Sequence, residues 1–249
     1  MRKLSIALAL ALLLAACGGS DDESATADEV ADDAMMEESM DDSMTEESME
    51  EHMPTTFTVT IANVSAESAF ETPLAPGAFL VHTSMETLFG AGIVDRGEGL
   101  EALAEDGSPG MLAETLGALA SVSTAGTFAN PDGGSEAGPA LPGSSYTFSF
   151  EATPGDYLSF ATMFVQSNDW FFAPDPNGLN LFDGDTPLEG DITDLVGLWD
   201  AGTEVDEEPG EGANQAPRQA GPNSGDAQDA PITAVEGYEG TIAVTITVG

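Results

Sequence analysis

The chain has 249 residues, with 45 acidic side chains against four Lys or Arg, a formal net charge of −41 and a single cysteine. A surface this negative excludes nucleic acid and anionic lipid headgroups as partners, because both need positive charge from the protein. One cysteine excludes an internal disulfide, so stability must come from an apolar core or from bound metal, and the acidity itself attracts cations.

In chain order, Arg2 and Lys3 precede an apolar run from Leu4 to Leu14 and the small residues Ala15 and Ala16. Charge, apolar run and small residues form a secretory signal, and the run is well short of the roughly 20 residues a membrane-spanning helix needs. Residues 1–16 are therefore expected to be cleaved. Leu14-Ala15-Ala16-Cys17 resembles the lipobox of bacterial lipoproteins, which implies lipid on Cys17 and anchoring of the exported protein to a membrane of the cell envelope. Gly18, in place of an acidic residue after the cysteine, points to the outer membrane or cell surface.

Residues 17–53 read as a disordered tether. They hold no aromatic residue, and acidic pairs recur at Glu37-Glu38, Asp41-Asp42, Glu46-Glu47 and Glu50-Glu51. Such a segment cannot bury enough apolar surface to order itself, and self-repulsion extends it. Met36, Met40, Met44, Met49 and Met53 recur every four or five residues, a spacing that with His52 could also hold Cu(I) or dock a partner helix. A passive linker is the simpler reading.

The rest, 54–249, reads as one β-rich domain. Phe57, Val59 and Ile61 alternate with threonines, and Ile242, Val244, Ile246 and Val248 repeat the pattern, so the two ends predict paired strands. Tyr146, Phe148 and Phe150 alternate likewise, while the nearly unbroken apolar stretch Leu158 to Val165 suits a central strand buried on both faces. Leu100, Leu103 and Ala104 predict a short helix. A second is predicted from Ser108 as cap and Pro109 as first residue through Leu112, Leu116 and Leu119. Glycine and proline turns throughout favour an antiparallel β-sandwich, mainly β, with one or two short helices at its edge. Residues 205–231, rich in Gly, Pro, Asn and Gln, predict a long mobile loop.

Two acidic clusters follow aromatic strands: Asn168-Asp169-Trp170-Phe171-Phe172 and Trp199-Asp200-Ala201-Gly202-Thr203-Glu204. Loop ends supply the carboxylates and carbonyls that a hard cation such as Ca2+ needs. Asp169, Asp200 and Glu204 are the expected ligands, with Trp170 and Trp199 packed beside them. The bland alternative is that these acids cap turns and the tryptophans are core. Asp175 to Asp185 lacks the EF-hand spacing and predicts a turn, and His82 predicts a satisfied structural histidine. No nucleophile elbow, zinc cluster or phosphate loop is present.

Taken with Phe57-Thr58-Val59, Asn63, Phe79-Leu80-Val81-His82, Leu88-Phe89, Gly92, Ala104-Glu105-Asp106-Gly107 and Pro142-Gly143-Ser144, these clusters make nearly all of Phe57 to Gly249 resemble the spondin amino-terminal domain family of animal matrix and bacterial secreted proteins. The resemblance implies a C2-like sandwich with one structural calcium on Asp169, Asp200 and Glu204. Glu204 stands where the animal domains carry aspartate, and their disulfide cysteines are absent. The expected function is a calcium-binding adhesion or binding module for an unknown protein or glycan ligand, not an enzyme. The rivals are an envelope hydrolase acting on polysaccharide through a carboxylate pair, and a passive surface component.

Overall fold

The computed structural model describes residues 53–85 and 87–249; the leader, Cys17 and the tether to residue 52 lie outside the described residues. The domain is an antiparallel β-sandwich. Its strands are β1 (Thr55–Asn63), β2 (Leu74–His82), β3 (Val122–Phe128), β4 (Ser145–Ala152), β5 (Tyr157–Phe164), β6 (Trp170–Pro174), β7 (Leu179–Asn180), β8 (Phe182–Asp183), β9 (Thr186–Pro187), β10 (Gly190–Asp191), β11 (Val196–Asp200), β12 (Thr233–Val235) and β13 (Ile242–Val248). One sheet runs β10-β13-β1-β4 and the other β12-β11-β6-β5-β2-β3, with β7 added to β5 and a separate β8-β9 hairpin.

The terminal strands pair as their alternation predicts, from Phe57 opposite Val248 to Asn63 opposite Ile242. Their apolar rows face inward: Phe57, Val59, Ile61, Val244 and Ile246 are fully buried against Leu158, Phe160 and Phe164 of β5 in the other sheet. The threonines face out, where Thr58 bonds Ser149 across the sheet at 2.8 Å. β5 lies between β2 and β6 and is buried along almost its whole length, as a central strand covered on both faces must be.

That second cover comes from two helices, α1 (Leu100–Asp106) and α2 (Gly110–Gly117), at the outer face of the larger sheet beside its edge strand β3. Leu100, Leu103, Leu112 and Leu116 pack there with Leu80, Ala161 and Phe171. Helices of seven and eight residues do not hold in isolation, so this packing is what forms them. α2 begins later than the sequence predicts. Pro109, and not Ser108, occupies the cap position, so Ser108 lies one residue before it, its N–H closing α1 on the Ala102 carbonyl at 3.0 Å, and Leu119 lies past the end of α2, 41% exposed.

His82 is buried, donating from Nδ1 to the Ser84 carbonyl at 2.7 Å and accepting at Nε2 from the Ser159 hydroxyl at 2.8 Å. Burial lowers its pKa, with the Ser84 bond and the Asp156 charge opposing. The unfolded chain therefore takes up the proton first. The stability this neutral ring contributes is complete above the unfolded pKa near 6.5 and falls as pH drops below it. Across pH 5–8 the stability advantage of the wild type over His82→Gln, measured by chemical denaturation, should shrink as pH falls below about 6.5; a pH-independent difference would refute it.

Candidate metal centre

β6 and β11 are antiparallel neighbours with Trp170 opposite Asp200, so the start of one and the end of the other share an edge. Asp169 immediately precedes β6, and Asp200 ends β11. The backbone around them is fixed locally: the Ser167 hydroxyl donates to the Phe164 carbonyl at 2.7 Å and accepts the Trp170 N–H at 3.0 Å, and the Ala201 N–H bonds the Asp169 carbonyl at 3.1 Å.

Asp169 is fully buried. Its Oδ2 accepts from the N–H of Thr203 at 2.7 Å, the N–H of Glu204 at 3.0 Å and the Thr203 hydroxyl at 3.2 Å, while Oδ1 is buried with no partner. One oxygen is thus saturated by donors and the other bare. Asp200, half-buried, accepts the Gly202 N–H at 2.7 Å, and Asp206, the most exposed of the set, accepts the Trp170 indole N–H at 2.8 Å. One carboxylate oxygen from each of Asp169, Asp200 and Asp206 lies within 4.8 Å of the others.

The structure therefore unites two of the expected ligands and replaces the third. Glu204 does not join the triad: its backbone N–H bonds Asp169, and its carboxylate lies the other way, seated directly against Gly225. Asp206 takes its place. The tryptophans divide as well. Trp170 serves the site through Asp206, whereas Trp199 packs on Phe89 at 4.9 Å between ring centroids and donates to the Ala173 carbonyl, bracing β11 against β6 without touching the carboxylates. Asp175 to Asp185 is not one turn: turns at 176–177 and 184–185 flank β7 and β8, and the Asp175 carboxylate accepts the Asn177 N–H at 3.1 Å.

Electrostatics match this crowding. Burial pushes the Asp169 carboxyl up to about 7 against the bonds from the Glu204 and Thr203 N–H groups, with the Asp200 and Asp206 charges adding to the rise. Burial also raises Asp200, and it raises Asp206 with help from the Asp200 charge. Three carboxylates this close repel one another unless they share a proton or a cation, and an all-oxygen set at a loop end suits a hard divalent ion. Burial lifts Glu105 of α1 to about 7, opposed by a bond from Thr203 and helped by the Glu101, Glu204 and Asp169 charges.

The sequence reading passed over Asp206 and Glu105. Asp206 stands two residues past the Glu204 it replaces, in the same acidic run, and Glu105 falls within one of the motif runs already noted. No family model matches the chain, and no curated protein matches it.

Proposed function

We propose that this protein is a cell-envelope lipoprotein, anchored through Cys17, whose acidic tether displays a spondin-like domain that calcium organises into a rigid binding or adhesion module for a protein or glycan. The observation that carries this is the bare, fully buried Oδ1 of Asp169 beside Asp200 and Asp206. A buried charge without a partner costs several kcal/mol, and a divalent cation removes that cost while clamping the β5–β6 and β11–β12 connections together. The ion is structural in this reading: it fixes loops, and the loops present the surface.

Calcium should raise the melting temperature of the purified protein relative to chelator, with linkage contributing about 2.7 kcal/mol at a free concentration 100 times the dissociation constant. Identical melting curves in the two conditions would remove the proposal.

The hydrolase alternative draws on one observation, the Asp169 carboxyl near 7, which is where a general acid works. Two facts weigh against it. Asp169 is fully buried, with one oxygen held by three donors, so a glycosidic oxygen has no path to it. The rise also comes first from burial among other carboxylates, which cation binding reverses. Turnover of a glycan panel that persists in chelator would favour the enzyme.

A further inference from the structure

A calcium ion on the triad would fill only part of its coordination from the protein. Each carboxylate already holds a donor on one oxygen: Asp169 Oδ2 takes three, Asp200 Oδ1 takes the Gly202 N–H and Asp206 Oδ1 takes the Trp170 indole N–H. Each is therefore set to give the ion one oxygen, whereas Ca2+ takes roughly six to eight. About three or more positions stay open. They face outward, because exposure rises from fully buried Asp169 through half-buried Asp200 to exposed Asp206.

A cavity lies farther along the same two strands. Trp170 is opposite Asp200 in the β6–β11 register and Phe172 is opposite Leu198, so the second pair follows the first on one face of the sheet, about 7 Å on. Phe172 and Leu198, with Val196 and Val235 beside them and Ile242 from the facing sheet, line a cavity of about 330 Å3. Tyr238 joins the two places. Half-buried, it stands in the cavity wall and packs edge-on against Trp170, at 5.2 Å between ring centroids, while the same indole holds Asp206. The charged residues on the lining, Asp194 and Glu239, are both acidic.

Charge and shape select the ligand. Open positions on a hard ion take oxygen. Three carboxylates less one divalent cation leave a net negative charge, and the cavity adds two more acids, so an anionic oxygen ligand is repelled. Neutral hydroxyls are not. Two of them on adjacent carbons of one sugar ring fill two positions at the ordering cost of a single rigid body, and the apolar face of a neighbouring ring suits Phe172 and Tyr238. We infer, on the basis of the calcium reading above, that the triad ion and this cavity form one site for a neutral glycan, with vicinal hydroxyls on the ion and the adjoining sugar ring in the cavity. The ion then touches the ligand as well as fixing the loops.

Terbium in place of calcium tests the open positions on the full chain. Its emission should be sensitised by Trp170, be displaced by calcium, and show, from lifetimes in H2O and D2O, an ion that keeps about three or more waters. Absence of calcium-displaceable emission overturns the proposed function and this site with it. Emission from an ion without bound water overturns the glycan site alone. An array of neutral and acidic oligosaccharides, probed with the labelled full chain, tests the ligand. Binding to neutral glycans is expected in calcium, at least tenfold weaker in chelator, and as weak in Val235→Trp and Val196→Trp, which fill the cavity. Both variants should keep the calcium-induced rise in melting temperature, which shows them folded with the ion site intact. No calcium-dependent binding, binding confined to uronate- or sialate-bearing glycans, or neutral-glycan binding retained in both cavity variants overturns the site, and a melting rise that persists leaves the proposed function standing.

Discussion

Asp169→Asn is expected to make the protein more stable than the wild type in chelator and less stable than it in calcium. Asparagine keeps one oxygen for the three donors on Thr203 and Glu204, and its amide N–H2 then faces Asp200 and Asp206 where the wild type has a bare oxygen. The buried charge disappears. With the carboxyl at about 7 instead of 3.8, keeping it ionised above neutrality costs on the order of 4 kcal/mol at about 1.36 kcal/mol per pH unit. The variant should melt roughly 5–10 °C above the wild type at pH 8 in chelator. In calcium the order inverts, because the variant has lost a ligand.

The pH dependence follows with a definite sign. A carboxyl raised in the folded state contributes stability that is complete below its unfolded pKa and lost as pH rises through the folded one. Wild-type stability in chelator should therefore fall between about pH 4 and 7, through Asp169 and, in the same sense, Glu105. Calcium needs the ionised form, so its contribution grows with pH and opposes that fall. Denaturation profiles with and without calcium, on both proteins, measure this. A wild type whose stability in chelator rises steadily from pH 5 to 8 would contradict it.

The second large effect is expected from Gly202→Ala. Gly202 has φ 69°, and an added Cβ would run into the Ala230 carbonyl oxygen. Its N–H also holds the Asp200 carboxylate, and its carbonyl accepts the Ala230 N–H at 2.9 Å. Left-handed strain and overpacking together cost about 2–4 kcal/mol, a melting temperature lower by roughly 5–15 °C. The shift moves Asp200 and the Thr203 and Glu204 amides at once, so calcium affinity should weaken at least tenfold. Gly240→Ala is the control. That glycine is also left-handed, φ 74°, but a Cβ there meets nothing, so it should carry only the strain and leave calcium binding unchanged. Equal calcium affinity in all three proteins would show that the Gly202 turn does not position the site.

Much of the sandwich was legible because a strand with one buried face writes a period of two into its sequence. Phe57, Val59 and Ile61 announce β1, and the same signal at Ile242 to Val248 identifies its partner. The unbroken apolar run of β5 likewise announced a strand covered on both sides. The start of α2 was not legible, since Ser108 looks like a cap in isolation yet the chain leaving α1 puts Pro109 at that position. Residues 205–231 do form a loop, and its bonds to Gln166, Asp106 and Thr203 depend on segments distant in sequence.

By itself the sequence determined the strand pattern, the extreme acidity and two of the three triad carboxylates. Asp169 and Asp200 sit at strand ends, and a strand end projects its acids to a place that alternation and turns already fix. Only the tertiary structure decided the third carboxylate. Glu204 lies in extended chain, where one step along the backbone reverses the side chain, and its N–H is drawn to Asp169, which sends its carboxylate away. Asp206 reaches the triad because the Trp170 indole, anchored among Phe164 and Tyr238 between the sheets, holds it there. Linear spacing records neither the side of the chain a carboxylate leaves from nor the ring that catches it.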